Sequence, residues 1–178
     1  MSGSKLQLTL GDYSMVGADM EGPYRYRLWR DWRPQPIRVC WVMLNPSTAD
    51  GVEDDPTIRR CMGFTKEWGY GGLVVVNLFA LRATDPEDLA LHVEPIGRRN
   101  DEEIQRAVSE SPITVIAWGS FAKSVKAHRD RDERVLALIR EASKEEPFCI
   151  GRTNGGFPRH PLYMPGECKP VRFSEAAS

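Results

Sequence analysis

The sequence has no apolar stretch near the roughly 18 residues a membrane-crossing helix needs. Its first ten residues lack the basic-then-apolar pattern of a secretory leader, so a cytoplasmic location is expected and no membrane partner. No CxxC pair occurs among Cys40, Cys61, Cys149 and Cys168, so zinc-finger spacing is absent. The close cysteine pairs of an iron–sulfur site are missing as well. Cys40 and Cys61 fall in apolar or helical surroundings and read as reduced thiols; no metal or cofactor is expected. There is no GxxxxGK phosphate loop, and neither Ser47 nor Ser120 sits in a G-x-S-x-G elbow, which argues against a nucleophilic serine. Neither charge sign dominates: 24 basic against 25 acidic residues leave −1. That excludes a strongly basic nucleic-acid coat protein but leaves room for a local basic patch. Repeats and low-complexity linkers are also lacking.

What is present is ordinary for a globular chain: 178 residues, 41% hydrophobic and 28% charged, enough for one domain with a real core. Residues 1–22, with four glycines, read as an irregular lead-in to a single domain over 23–178. Tyr24 to Trp29 alternates apolar with basic, the period of a half-exposed strand. Ile37 to Leu44 and Leu73 to Val76 are apolar runs suited to strands buried on both faces. Between them Asp55 and Pro56 signal a helix start, with Ile58, Cys61, Met62 and Trp68 on one face and Gly69, Gly71 and Gly72 ending it. Helices are expected at Asn100 to Val108, Ser120 to Lys126 and Arg131 to Ala142, and strands at Ile113 to Trp118 and Phe148 to Ile150. The alternation predicts an α/β fold, three-layer α/β/α, with a central, mainly parallel sheet of four to five strands.

Ligands of such sheets bind beyond the carboxyl ends of the strands. Four ends carry distinctive residues: Asn45-Pro46-Ser47, Asn77 to Arg82, Trp118-Gly119-Ser120 and His160-Pro161-Leu162. Singly each has a plain reading: an Asn before Pro forms turns, Asn77 caps a segment, and a His before Pro is a satisfied loop residue. A polar amide ending an apolar strand must still find a partner, and a ligand in an open cleft supplies one.

In this order and spacing the motifs resemble the uracil-DNA glycosylase superfamily. Leu44-Asn45-Pro46-Ser47 is similar to its water-activating motif, with Asn in place of Asp as in the mismatch-specific branch. Asn77 to Arg82 is similar to its base-reading segment, Trp118-Gly119-Ser120-Phe121-Ala122 to its W-G motif, and His160-Pro161 to its H-P-S motif, departing at Leu162. The resemblance covers roughly residues 37 to 165. Within the superfamily the chain looks most like short microbial proteins that carry Leu44-Asn45-Pro46-Ser47-Thr48-Ala49-Asp50.

The resemblance implies a monofunctional DNA glycosylase without cofactor, acting as a monomer on DNA with a modified or mismatched base. Asn45 would hold the attacking water; an amide orients water but is no general base, so Asp50 or Asp55 would assist. Asn77 would pair with the edge of a flipped pyrimidine, and His160 would donate to a base oxygen as charge develops. Phe79 or Trp118 would stack on the base, although core packing also suits Trp118. Arg82, Ser120, Lys123, Arg152 and Arg159 would contact DNA, each also plausible as a solvated side chain. Phe157, in the glycine-rich loop before His160, or Leu162 or Tyr163 after it, would wedge into the base stack. Ser47 stands where strict uracil enzymes carry a Tyr that blocks the pyrimidine 5-position. Its small side chain implies a 5-substituted base, including the hydroxymethylated and glucosylated bases of phage DNA, and hence antiphage defence. An enzyme or binder of free modified nucleotides and a catalytically silent nucleic-acid binding module remain alternatives.

Overall fold

The computed structural model describes residues 7–8 and 14–176. Its strands are Gln7–Leu8 (β1), Met15–Glu21 (β2), Tyr24–Asp31 (β3), Arg38–Met43 (β4), Gly72–Asn77 (β5), Thr114–Ile116 (β6), Phe148–Cys149 (β7) and Val171–Arg172 (β8). Its α-helices are Pro56–Glu67 (α1), Asp88–Leu91 (α2), Asn100–Ser109 (α3) and Arg131–Ser143 (α4). The fold is α/β, built on one mixed sheet of order β1-β2-β3-β5-β4-β6-β7-β8.

The parallel strands β5, β4, β6 and β7 form the middle, and antiparallel strands extend the sheet on both sides. The sheet is therefore larger and more mixed than the four to five mainly parallel strands expected. The lead-in accounts for part of the difference: Met15–Glu21 is no irregular segment but a strand along β3, with a register shift at Asp19 and Met20. Gly17 permits this pairing, because a Cβ there would lie 2.2 Å from the Trp29 indole.

Successive side chains of a strand point to opposite faces. Val39, Trp41 and Met43 of β4 pack with Ile58, Cys61 and Phe64 of α1. Cys40, Val42 and Leu44 pack with Ile104 and Ala107 of α3 and Val135 and Ile139 of α4. Helix α1 begins as its sequence predicts, with the Asp55 carboxylate accepting the Ile58 N–H at 2.8 Å and Pro56 following. Such a cap stabilises a helix by about 1 kcal/mol. Its core-facing aromatic is Phe64, stacked with Trp68 and tilted against Trp41, while Met62 is only half-buried. The helix expected at Ser120 to Lys126 is replaced by two short 3-10 turns, Phe121–Ser124 and Lys126–His128. Among the described residues no helix is long and apolar enough to cross a membrane.

Candidate active site

Strands β4, β5 and β6 are parallel, so their carboxyl ends open on one rim of the sheet. A cleft of about 390 Å³ lies there. Asn45, Ser47, Asn77, Trp118, Ser120, His160 and Leu162 all line it, so the four motifs converge on one site.

Asn77 ends β5 and is 1% exposed, yet neither its amide nitrogen nor its amide oxygen has a partner among the described residues. A buried polar group left unpaired costs about 1–3 kcal/mol, so both atoms await a ligand or water. Its backbone is held from behind. Asn100 Nδ2 donates to the carbonyls of Asn77 and Leu78, each at 3.0 Å, and Arg131 Nε donates to Leu78 at 2.8 Å.

Asn45 has the opposite arrangement. Its Nδ2 donates to the carbonyls of Pro46 and Ala83 at 2.9 and 2.8 Å. Only an NH₂ group satisfies two carbonyls, which fixes the amide orientation and leaves its oxygen to accept.

His160 follows the glycine-rich loop, and its Nδ1 accepts the Leu162 N–H at 3.3 Å. The neutral ring therefore carries its proton on Nε2 and presents a donor. Burial holds its pKa below the ordinary 6.5, against the opposing pull of Asp55. Arg60 of α1 steadies this corner by donating to the carbonyls of Pro161 and Met164. Gly119, at φ 72°, turns the chain after Trp118 and donates to the Pro158 carbonyl at 2.9 Å, tying the W-G turn to the same loop. Trp118 is 2% exposed, and its indole N–H has no partner among the described residues.

Most of the other candidates lie elsewhere. Phe79 is wholly buried in the core, its ring near His128, and cannot stack on a ligand. Asp50 turns its carboxylate onto the backbone N–H groups of Val52 and Glu53, which lower its pKa. Asp55, not Asp50, is the carboxylate on the cleft wall. Lys123 is engaged by Asp132 and Glu133 at 2.9 and 2.7 Å. Arg152 lies over the Phe173 ring and bonds the Gly156 carbonyl, and Arg159 bonds the Arg152 carbonyl; both brace the loop. Phe157 is half-buried within that loop and does not line the cleft. Arg82 is exposed, 3.4 Å from the Ser47 carbonyl. Leu162 is 45% exposed at the cleft mouth, beside the exposed Tyr163.

Arg25 is the charged cleft residue that the sequence did not reveal. An arginine on an alternating strand reads as solvent-facing, but this one is buried and lines the cleft. Among the described residues no group of three His, Cys, Asp or Glu is placed to hold a metal ion.

Comparison with the curated proteins and with the solved structures finds no match. A family profile does match, over residues 25–162, from Arg25 on one wall of the cleft to Leu162 at its mouth. The chain belongs to that family, described as Protein of unknown function (DUF1643).

Proposed function

We propose that this protein is a monofunctional DNA glycosylase that hydrolyses the N-glycosidic bond of a flipped-out, 5-substituted pyrimidine. The observation that carries the reading is Asn77: a buried amide with a free donor and a free acceptor on the wall of a cleft at the strand ends. That pair matches the donor–acceptor edge of a pyrimidine. The layering of helices on both sheet faces fits the α/β/α architecture of the uracil-DNA glycosylase superfamily.

The chemistry follows from the remaining cleft residues. The Asn45 amide oxygen orients a water towards C1′ of the sugar, and Asp55 takes up its proton. The C1′–N1 bond breaks and its electron pair leaves with the base. The His160 Nε2–H donates to a base oxygen as negative charge builds there, and the base is finally protonated. The scheme uses no metal or cofactor. Ser47 leaves space beside the base where a bulky residue would exclude a 5-substituent. Leu162 or Tyr163 fills the gap in the duplex. A cytoplasmic monomer removing modified bases from phage DNA would act as an antiphage defence.

A second reading, hydrolysis of free modified nucleotides, is favoured by the charges around the cleft. Lys123 is neutralised by two carboxylates, and Arg152 and Arg159 are spent on their own loop. One experiment separates the two. The protein is incubated with DNAs carrying uracil, a G·T mismatch, 5-hydroxymethylpyrimidines or glucosylated cytosine, then treated with alkali. Strand breaks at a 5-substituted pyrimidine, abolished by Asn77→Ala, are expected. No break on any DNA by folded protein would overturn the glycosylase reading and favour the free-nucleotide one.

A further inference from the structure

Arg25 has no part in this hydrolysis scheme, although it lines the same cleft. It stands near the start of β3, its backbone N–H bonded to the Ala80 carbonyl at 2.9 Å and its side chain 2% exposed. A guanidinium carries five N–H donors. Here Nη1 donates to the Ala49 carbonyl at 2.6 Å, and the buried Nε has no partner among the described residues. Arg30 on the same strand shows what a satisfied buried arginine looks like. Its side chain makes five hydrogen bonds, to Asp54 and to the carbonyls of Gly17, Trp29, Asp50 and Glu53.

Burying a cation with idle donors is costly unless an acceptor arrives. Desolvation lowers the Arg25 pKa to about 10, with Arg82 and Arg30 adding to the effect and Asp55 and Asp50 opposing it. The group is therefore still charged at neutral pH. Its anchor, Ala49, lies two residues beyond Ser47 on the same loop, and Arg25 and Ser47 both line the cleft.

We propose that Arg25 selects the substituent: the pyrimidine taken into this cleft carries an oxygen acceptor, hydroxyl or carboxylate, on its 5-position group, and that oxygen bonds the Arg25 guanidinium. This rests on reading the cleft as a pyrimidine pocket with Ser47 beside the 5-position. A guanidinium makes strong, charge-assisted bonds to such oxygens and gains nothing from a methyl group of similar size.

The test is binding of free bases to the whole protein, followed by calorimetry. Thymine, 5-hydroxymethyluracil and 5-carboxyuracil are titrated into the unsubstituted protein, Arg25→Met and Arg25→Lys. The oxygen-bearing bases should bind at least about ten-fold more tightly than thymine, the range of a charge-assisted hydrogen bond. A carboxylate preferred over a hydroxyl would identify an anionic substituent, and the reverse a neutral one. Arg25→Met should erase the preference, read as the ratio of the affinities for the oxygen-bearing bases and for thymine, and Arg25→Lys should keep part of it. If Arg25→Met does not fold, the unsubstituted protein and Arg25→Lys still decide. Equal binding of thymine and the oxygen-bearing bases, no binding of any of them, or a preference that survives Arg25→Met would overturn the inference. Base preference without excision from DNA would remove only the glycosylase reading. Excision without base preference would remove only the role of Arg25.

Discussion

Asn100 donates its side-chain amide to the carbonyl of Asn77 at 3.0 Å, so one buried asparagine holds the backbone of another whose own side chain has no partner among the described residues. The two should separate stability from activity. Asn100→Ala takes the side-chain donor from the Asn77 carbonyl and leaves Leu78 with Arg131 alone, and should cost about 1–3 kcal/mol in denaturant unfolding. It should lower kcat more than it raises KM, as expected of a positioning residue. Asn77→Ala removes two unsatisfied atoms and should leave the melting temperature unchanged or raised, while abolishing base excision.

The two aspartates should behave in opposite ways. Asp55→Asn keeps a good helix cap, because asparagine caps α1 as well as aspartate does. It removes the carboxylate from the cleft wall. The expected result is a native melting curve with excision slowed by roughly a hundred-fold or more, the usual worth of a general base. Asp50→Ala should loosen the turn at Val52 and Glu53 and lower stability, with little effect on the chemical step.

His160 gives the pH dependence. Burial lowers its pKa below 6.5, so the folded protein binds this proton less readily than the unfolded chain. Its contribution to stability is present in full above 6.5 and is lost as pH falls through the folded pKa. Protonation also turns Nδ1 from an acceptor into a donor and breaks its bond to the Leu162 N–H. A kcat/KM profile should therefore be flat above neutrality and fall in acid with a midpoint below 6.5. His160→Ala should remove that limb together with most of the activity.

Ser47 tests the selection of the 5-position. Ser47→Tyr should block 5-substituted pyrimidines and spare any activity on uracil, measured as the ratio of the two excision rates. Equal loss on both substrates would show that Ser47 does not face the 5-position.

The parts of this molecule that were legible in its sequence are those set by local rules. The apolar runs of β4 and β5 mark buried strands, and Asp55-Pro56 marks the start of α1. Asn45, Asn77 and Trp118 share one cleft because parallel strands bring their ends to one rim, and the Gly119–Pro158 bond ties the loop of His160 to it. The misses depend on partners distant in sequence. Strand β2 looks irregular because residues 1–22 carry four glycines, yet Gly17 accommodates Trp29, and Asp19 and Glu21 pair with Arg99 at the N-cap of α3. Arg25 looks solvent-exposed until the loop of Ala49 folds over it. Phe79 comes two residues after Asn77 and looks available to a ligand, but its ring points into the core shared with α3 and α4. Asp50 belongs to the same run as Asn45 and Ser47, and its carboxylate is consumed by its own turn.

The central claim is that a glycosidic bond is hydrolysed in the cleft of Asn45, Asn77 and His160. Mass spectrometry of the small molecules released from DNA rich in 5-hydroxymethyl- or glucosylated pyrimidines tests it most directly. The account predicts a free modified base, released in equal amount with abasic sites in the DNA, and absent with Asn77→Ala. Intact DNA with no free base, from folded protein on every substrate, would contradict it.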